Sequence, residues 1–370
     1  MKKILLLLLF VPLISFGQTE KEYIDSGNSK EEQKDYKGAI EDFTKAIELN
    51  PDSAIAYYNR GVSKSKLGDL KGTIEDYTKA ILLKPDYANA YHNRGLAKYN
   101  LKDYYSAIQD YNQALRIKPD YAISYSNRGV AKSNLGDLKG AIEDYTKAIE
   151  LNPDYAPAYH NRGLTKYNLK DNFGAISDYN KAIKLDPDYA DAYANRGVVK
   201  VNLKYYNGAI ADYNRAIELN PDNAIAYHNR GVAKYYLNDY EGGIADYTKA
   251  IELKPDYANA YYNRGKARSD LKDYKGAIAD FTKVIELVPD GPAAYSNRGV
   301  AKYYLGDYYG AIADFTKVIE LDPDDPAAYT YRGLSKFEVG DTKKGPCADF
   351  GKAISLGSTT NVDWVKENCN

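Results

Sequence analysis

Small and apolar residues recur along this chain at steps of three and four positions, and the whole pattern repeats every 34 residues. Such steps place residues on one face of an α-helix. In the segment 54–87 they predict two helices, at about 54–67 and 70–83. Gly68 separates the two helices, and Pro85 ends the second because proline lacks an amide donor and disfavours helix just before it.

The 34-residue period is clearest at glycine. The ten recurring glycines are Gly27, Gly61, Gly95, Gly129, Gly163, Gly197, Gly231, Gly265, Gly299 and Gly333. A strict period of this length is typical of units that cannot bury their apolar face alone. It predicts a stack in which neighbouring repeats stabilise each other.

Other residues recur in phase with this glycine. A tyrosine precedes it by four in all ten repeats, and in nine repeats an aromatic residue follows it by sixteen and a proline by twenty-four. Over residues 20–359 the chain therefore resembles the tetratricopeptide repeat (TPR) family. The resemblance implies an all-α fold, a right-handed superhelical α-solenoid of antiparallel helix pairs. The chain departs from the commonest family pattern in carrying Arg directly before the glycine.

The predicted organisation has three parts: a signal peptide at 1–17, the solenoid at 18–359 and a C-terminal capping helix at 360–370. The predicted repeats are 20–53, 54–87, 88–121, 122–155, 156–189, 190–223, 224–257, 258–291, 292–325 and a degenerate 326–359.

The first seventeen residues have the pattern of a secretory leader. Lys2 and Lys3 are followed by an apolar run and by a small-residue cleavage site ending at Gly17. The run is short for a permanent membrane span. We therefore expect an exported protein, periplasmic or secreted.

The overall charge argues against a nucleic-acid partner. The sequence has 50 basic and 51 acidic residues, and loss of the leader removes two of the basic ones. Nucleic-acid binding normally needs a basic stripe. We expect a protein or peptide partner, and the sequence leaves the oligomeric state open.

The two cysteines lie near the C-terminus. A last helix at about 361–369 would run back along the preceding one and bring Cys369 towards Cys347. In an oxidising compartment this predicts a disulfide, and the alternative is two free thiols.

A second periodic feature pairs arginine with aspartate. Arginine precedes the glycine in repeats two to ten, and aspartate follows it by fifteen in repeats one to nine. Counting partners at the two ends favours pairing each arginine with the aspartate of the preceding repeat, because repeat one has Ser26 in place of arginine. The predicted pairs are Arg60–Asp42, Arg94–Asp76, Arg128–Asp110, Arg162–Asp144, Arg196–Asp178, Arg230–Asp212, Arg264–Asp246, Arg298–Asp280 and Arg332–Asp314. The alternative is an exposed arginine that packs only its stem.

The resemblance implies that first helices line a concave groove. Asparagine stands two before the glycine in eight repeats, and we call these residues the asparagine row: Asn59, Asn93, Asn127, Asn161, Asn195, Asn229, Asn263 and Asn297. A side-chain amide both donates and accepts, so it can pair with a peptide unit of an extended ligand. The alternative is that asparagine here is an ordinary surface residue or a relic of duplication.

The same reasoning places aromatic residues in the groove. The predicted groove aromatics are Tyr99, Tyr167, Tyr235, Tyr303, His92, His160 and His228. Lys66 and Lys266 are nearly the only inward cations, so a clamp for a terminal carboxylate is not formed. The histidines recur two repeats apart, too far for shared coordination, and we expect no metal and no cofactor.

The sequence bears on three possible functions. The repeats leave no room for a catalytic domain, and no catalytic motif appears, so an enzyme is disfavoured and we expect no catalytic residues. The favoured function is a scaffold that binds an extended, weakly charged peptide. The alternative is a glycan-binding module, because tyrosine faces also suit sugar rings.

Overall fold

The computed structural model describes residues 18–341 and 344–369, so the predicted leader lies outside it. All regular structure in these ranges is helical, which confirms the all-α fold class. The helices are α1 Glu20–Glu32, α2 Tyr36–Leu49, α3 Ala54–Lys66, α4 Leu70–Leu83, α5 Ala88–Asn100, α6 Tyr104–Ile117, α7 Ala122–Asn134, α8 Leu138–Leu151, α9 Ala156–Asn168, α10 Asn172–Leu185, α11 Ala190–Asn202, α12 Tyr206–Leu219, α13 Ala224–Tyr236, α14 Tyr240–Leu253, α15 Ala258–Asp270, α16 Tyr274–Leu287, α17 Pro292–Leu305, α18 Tyr308–Leu321, α19 Pro326–Glu338, α20 Lys344–Ser355 and α21 Val362–Asn368. None of these helices combines the length and the apolar composition that a membrane crossing requires.

The turn inside most helix pairs follows from two adjacent residues, although before α12 the second of them is Tyr205, which makes no side-chain cap. Gly68 has a φ of 80°, and Lys102 takes the same left-handed conformation in the next repeat with a φ of 63°. The aspartate that follows then caps the second helix: the backbone N–H of Gly72 donates to Asp69 Oδ1 at 3.0 Å. The helix bounds predicted for this repeat agree with α3 and α4 to within one residue.

Close packing at the periodic glycine sets the register of each pair. A Cβ added at Gly61 would lie 2.9 Å from Cε1 of Tyr77, and one at Gly265 would lie 2.9 Å from Cε1 of Phe281. Real Cβ atoms do not approach so closely, so only glycine lets the second helix bring its ring this near. Residues sixteen apart therefore face each other across these pairs, and in the tenth pair Gly333 meets Phe350, seventeen residues on.

The chain forms two compact units, one ending at Gly174 and one starting at Ala175. Within each unit, helices contact mainly their neighbours in the sequence. Small and aromatic residues fill the core, for example Ala107, Tyr111 and Ala131 in the first unit and Ala209 and Tyr213 in the second.

The last helix covers the end of the second compact unit. Trp364 of α21 packs edge-on against Phe337 and Phe350, with ring centroids 5.6 and 5.0 Å apart. Cys347 and Cys369 form a disulfide with 5.6 Å between their Cα atoms, and this is the pairing that the sequence predicted.

Candidate functional site

In repeats two to four and six to ten, the buried aspartate binds the arginine of its own repeat. Arg60 donates from Nε and Nη2 to Oδ2 and Oδ1 of Asp76, at 2.9 and 2.7 Å. The same pairing recurs at Arg94–Asp110, Arg128–Asp144, Arg196–Asp212, Arg230–Asp246, Arg264–Asp280, Arg298–Asp314 and Arg332–Asp349. Two parallel bonds of this kind match the guanidinium fork to the carboxylate.

The predicted pairing between repeats is therefore wrong. The structure overturns Arg60–Asp42, Arg94–Asp76, Arg128–Asp110, Arg162–Asp144, Arg196–Asp178, Arg230–Asp212, Arg264–Asp246, Arg298–Asp280 and Arg332–Asp314. The reason is the glycine register: because Gly61 packs on Tyr77, the residues just before each of them, Arg60 and Asp76, are also opposite each other.

Counting partners at the two ends of the chain gave the wrong pairing because repeat one binds its aspartate with side chains other than arginine. Ser26 Oγ donates to Asp42 Oδ2 at 2.7 Å, and Lys30 Nζ lies 2.6 Å from the same oxygen. In later repeats the same lysine position supplies a second cation, as when Lys64 Nζ lies 2.8 Å from Asp76 Oδ2. A basic residue stands three after the glycine in all ten repeats. This periodic basic position is a signal in the sequence that the predicted pairs did not include.

The guanidinium also reaches the preceding repeat through its remaining nitrogen. Arg60 Nη1 donates to Thr44 Oγ1 at 3.1 Å, and Arg128 Nη1 donates to Asn112 Oδ1 at 2.7 Å. The arginine thus joins neighbouring repeats through a hydroxyl or an amide, while its charge is balanced inside its own repeat.

The asparagine row is held by hydrogen bonds between first helices. Asn93 Nδ2 donates to the Tyr58 hydroxyl at 3.0 Å, and Asn297 Nδ2 donates to the Tyr262 hydroxyl at 3.0 Å. Asn263 Nδ2 lies 3.0 Å from His228 Nε2. In each case the partner stands three before the glycine of the preceding repeat, so these half-buried amides have fixed positions.

The other members of the row occupy the same place with varied partners. Asn59 Nδ2 donates to Asn28 Oδ1 at 2.9 Å, and Asn229 Oδ1 lies 3.0 Å from His228 Nδ1. Asn161 Oδ1 similarly lies 3.3 Å from the ring nitrogen of the preceding histidine. Asn127 and Asn195 are half-buried like the rest. The amides differ in how many of their hydrogens remain available. Asn297 Nδ2 donates a second hydrogen bond, to the Ala293 carbonyl, so both of its amide hydrogens are used.

The three histidines do not line an accessible groove, and that prediction is wrong. His92, His160 and His228 are 6, 9 and 8% exposed. Position three before the glycine faces the junction with the next repeat, where the His92 ring packs 4.8 Å from that of Tyr121. Burial lowers the pKa of His92 to about 4 and also lowers the pKa of His228.

The groove tyrosines stay half-exposed. The Tyr235 hydroxyl donates to Asp270 Oδ2 at 2.6 Å, and the Tyr99 hydroxyl accepts from Asn134 Nδ2 at 3.3 Å. Burial and the Asp270 carboxylate raise the pKa of Tyr235. Tyr167 and Tyr303 take the same position in their repeats and are also half-exposed.

Shallow pockets lie between the first helices of the second compact unit. One of about 190 Å³ is lined by Val198, Val201, Asn202, Tyr213, Asn229 and Val232. The next, of about 110 Å³, is lined by Val232, Tyr235, Tyr236, Tyr247, Asn263 and Lys266. Members of the asparagine row thus stand beside small, partly apolar depressions of side-chain size.

Charged residues also lie on this face, and the acidic ones were not among the predicted site residues. Glu31 and Glu32 line a pocket in the first compact unit, and burial raises the pKa of Glu31. Lys266 Nζ lies 5.3 Å from the ring centre of Tyr235. The acidic residues occupy the offsets four and five after the glycine, where the predicted inward residues were aromatic apart from Lys66.

No set of three or more His, Cys, Asp or Glu residues within 18–341 and 344–369 is placed to hold a metal ion.

Family models match most of the chain. A model described as TPR repeat matches residues 27–68, 65–102, 167–204, 203–236 and 233–272. A model described as Tetratricopeptide repeat matches residues 88–121, 122–155, 258–290 and 292–325. The curated proteins gave no match.

Solved structures resemble this chain at the level of fold. Pseudomonas aeruginosa pilF aligns with a TM-score of 0.51 and 16% identity, covering 58% of this chain and 97% of that one. A tetratricopeptide repeat protein from Parabacteroides merdae gives 0.49 and 20%, with coverage of 67% and 98%. YrrB, described as a TPR protein with an unusual peptide-binding site, gives 0.46 and 26%, with coverage of 50% and 96%. The similarity to pilF shows a shared fold.

Proposed function

Since this chain belongs to the tetratricopeptide repeat family, whose fold is a scaffold for protein–protein interactions, we propose that it binds an extended, weakly charged peptide segment along the asparagine row. Members of this family are typically non-enzymatic scaffolds. The proposal concerns the same face in each compact unit and assigns the chain no catalytic role.

The observation that supports this proposal is the fixed position of the amides. Asn93 and Asn263 each use one amide hydrogen to hold themselves against the preceding repeat. A side-chain amide has a second hydrogen and a carbonyl oxygen, and these groups can pair with a peptide backbone. Because the amide is already oriented, binding loses little side-chain entropy.

The neighbouring pockets and charges define the segment. Pockets lined by Val198, Val232 and Tyr235 suit short apolar or aromatic side chains. Lys266 and Asp270 contribute opposite charges in the same repeat. A segment with little net charge therefore fits this face better than a strongly acidic or basic one.

The test is selection from a phage-displayed library of random 12-residue peptides, followed by affinity measurement on the selected peptides. Asn195→Ala, Asn229→Ala and Asn263→Ala are combined in one variant, all within the second compact unit. We expect about a 10-fold or larger loss of affinity, because each hydrogen bond contributes about 1 kcal/mol. Asn207→Ala, on the exposed face of α12, is the control and should bind like the wild type.

Two results would count against peptide binding. One is equal affinity of wild type and triple variant, provided that both melt at similar temperatures. The other is displacement of every selected peptide by soluble oligosaccharides, which would favour the glycan-binding alternative.

Export is a further part of the proposal. The sequence of residues 1–17 has the leader pattern, and disulfides such as Cys347–Cys369 persist mainly in oxidising compartments. The intact mass of the protein purified from its native host should correspond to a chain that starts at Gln18. A mass that includes Met1 would contradict export by this leader.

A further inference from the structure

Tyrosine rings fill the junctions between several first helices. Tyrosine stands eight before the periodic glycine at Tyr87, Tyr121, Tyr155, Tyr189 and Tyr257. Its ring packs on the residue three before the glycine of the preceding repeat. The centroid distances are 4.8 Å for Tyr87 on Tyr58, 4.8 Å for Tyr121 on His92 and 4.9 Å for Tyr257 on His228.

At one junction the aromatic residue three before a glycine is present, but the tyrosine eight before the next glycine is missing. The position eight before Gly299, the periodic glycine of the ninth repeat, is Gly291, while the eighth repeat still carries Tyr262. A pocket of about 240 Å³ opens there, lined by Ala258, Asn259, Tyr262, Val284, Val288 and Ala294 together with Gly291 and Ala293. We call it the Gly291 pocket.

We propose that the Gly291 pocket receives an aromatic side chain of the bound partner segment. This inference rests on the proposed function and adds the identity of one anchoring side chain. The chain itself shows what fits: at three equivalent junctions the occupant is a tyrosine ring. The volume agrees, since a cavity of about 150 Å³ already holds benzene.

The pocket lies on the same face as the asparagine row. The Tyr262 hydroxyl, in the pocket wall, accepts from Asn297 Nδ2 at 3.0 Å. Asn259 and Ala293 stand one helical turn before Asn263 and Asn297 on their helices, and residues four apart share a helix face. A segment that follows the row can therefore place a side chain in the pocket.

The substitution Gly291→Tyr fills the pocket with the residue that the other junctions carry. Gly291 has φ −87° and ψ 103°, near the φ −82° and ψ 80° of Tyr257, so tyrosine is allowed. A Cβ at Gly291 would lie 3.6 Å from the Val288 carbonyl oxygen, an ordinary contact. The variant should fold at least as stably as the wild type.

The experiment measures amide chemical shifts of the full chain during titration with N-acetyl-tyrosine amide and, separately, N-acetyl-leucine amide. In the wild type the tyrosine probe should give saturable shifts at Ala258, Val288 and Ala294. The Gly291→Tyr variant should lose them, and Gly291→Ala, the matched control, should keep them. Unchanged shifts in Gly291→Tyr, no binding to the wild type, or tighter binding of the leucine probe would each overturn the inference.

Failure of this inference differs from failure of the proposed function. Peptides selected on the wild type should bind Gly291→Tyr about 10-fold more weakly. If these peptides bind Gly291→Tyr as tightly as the wild type but lose affinity for the asparagine variant, the result supports binding along the asparagine row and contradicts the assignment of the Gly291 pocket. If the tyrosine probe binds the pocket while the asparagine variant keeps full peptide affinity, the peptide-binding function falls and the pocket remains.

Discussion

At the scale of single residues, the aspartates bonded to the arginines are buried charged groups. The Asp314 side chain is 4% exposed and is bound by Arg298 and Lys302 at 2.6 and 2.8 Å. A buried carboxylate that loses a partner keeps its desolvation cost without the compensating attraction. The position is therefore sensitive to substitution even though an intact buried pair adds little net stability.

A double-mutant cycle tests the pairing within repeats. Arg298→Leu combined with Asp314→Asn should give a coupling energy of about 1–3 kcal/mol, as expected for directly bonded groups. Arg298→Leu combined with Asp280→Asn should give a smaller value, because Asp280 is bonded to Arg264 and Arg268. Urea unfolding supplies the free energies. The reverse order of the two couplings would restore pairing between repeats.

The buried His92 predicts a loss of stability in mild acid. Its pKa is about 4 in the folded chain and 6.5 in the unfolded chain, so the unfolded state binds more protons between these values. Stability is then fully present above pH 6.5 and falls as the pH drops towards 4. At pH 5 this histidine alone should lower the free energy of unfolding by about 2 kcal/mol.

The matched variant is His92→Tyr, which installs the residue found at the equivalent Tyr58 and Tyr262. Urea unfolding at pH 7.5 and at pH 5 should show a smaller acid-induced loss in the variant than in the wild type. The same loss in both proteins would mean that His92 does not titrate in this range.

At the scale of elements, the helix pair is the structural unit. The close approach of the periodic glycine to an aromatic ring of the second helix fixes how the two helices pack. The glycine allows contact with the ring sixteen residues on, and the left-handed turn residue and capping aspartate set the connection. The tenth pair shows the tolerance of this design. It has one extra residue in its connection, and Arg332 still bonds Asp349 through two nitrogens.

The short α21 depends on its disulfide for attachment. A helix of seven residues is marginal alone, and its contacts are few apart from the Trp364 ring and the Cys347–Cys369 bond. The disulfide closes a short loop, and a disulfide that closes a loop of this length stabilises the folded chain by about 3 kcal/mol. Cys369→Ser should abolish hydrogen-exchange protection in α21 and leave α17 and α18 unchanged.

A thiol titration of the unreduced protein accompanies that experiment. Under denaturing conditions it should find no free thiol. Two free thiols per chain would contradict the disulfide and the attachment argued from it.

At the scale of the whole molecule, stability is a sum of neighbour contacts within each compact unit. In the second unit each helix packs on the next one in the sequence and barely touches the one after that. Repeat stacks of this kind also open locally, at a free energy below that of global unfolding. Damage in one repeat should therefore remain near that repeat.

Hydrogen exchange tests this locality. Asp314→Asn should speed amide exchange in α17, α18 and α19 and leave α11 to α13 unchanged. The control is Lys317→Ala, in the same helix, which removes only the exposed pair between Lys317 and Glu320 and should change nothing measurable. Faster exchange throughout α11–α19 in the aspartate variant would show cooperative unfolding instead.

Much of the fold could be read from the period alone. The helix bounds, the turn and the order of pairs depend on residues close in sequence, such as Gly68, Asp69 and Pro85, whose preferences are local. The asparagine row was found in the same way. The hydrogen bonds of the row could not be predicted in this way, because the partner of Asn93 is Tyr58, 35 residues earlier.

The sequence by itself thus determined a stack of paired helices and the residue types on each helix face. Only the tertiary structure decided which arginine meets which aspartate, which aromatic residues are covered and where a ring is missing at Gly291. The physical reason is the repetition itself. When every repeat offers the same side chain at the same offset, partners in one repeat and in the next are equivalent in sequence, and only the packing of helix on helix selects between them.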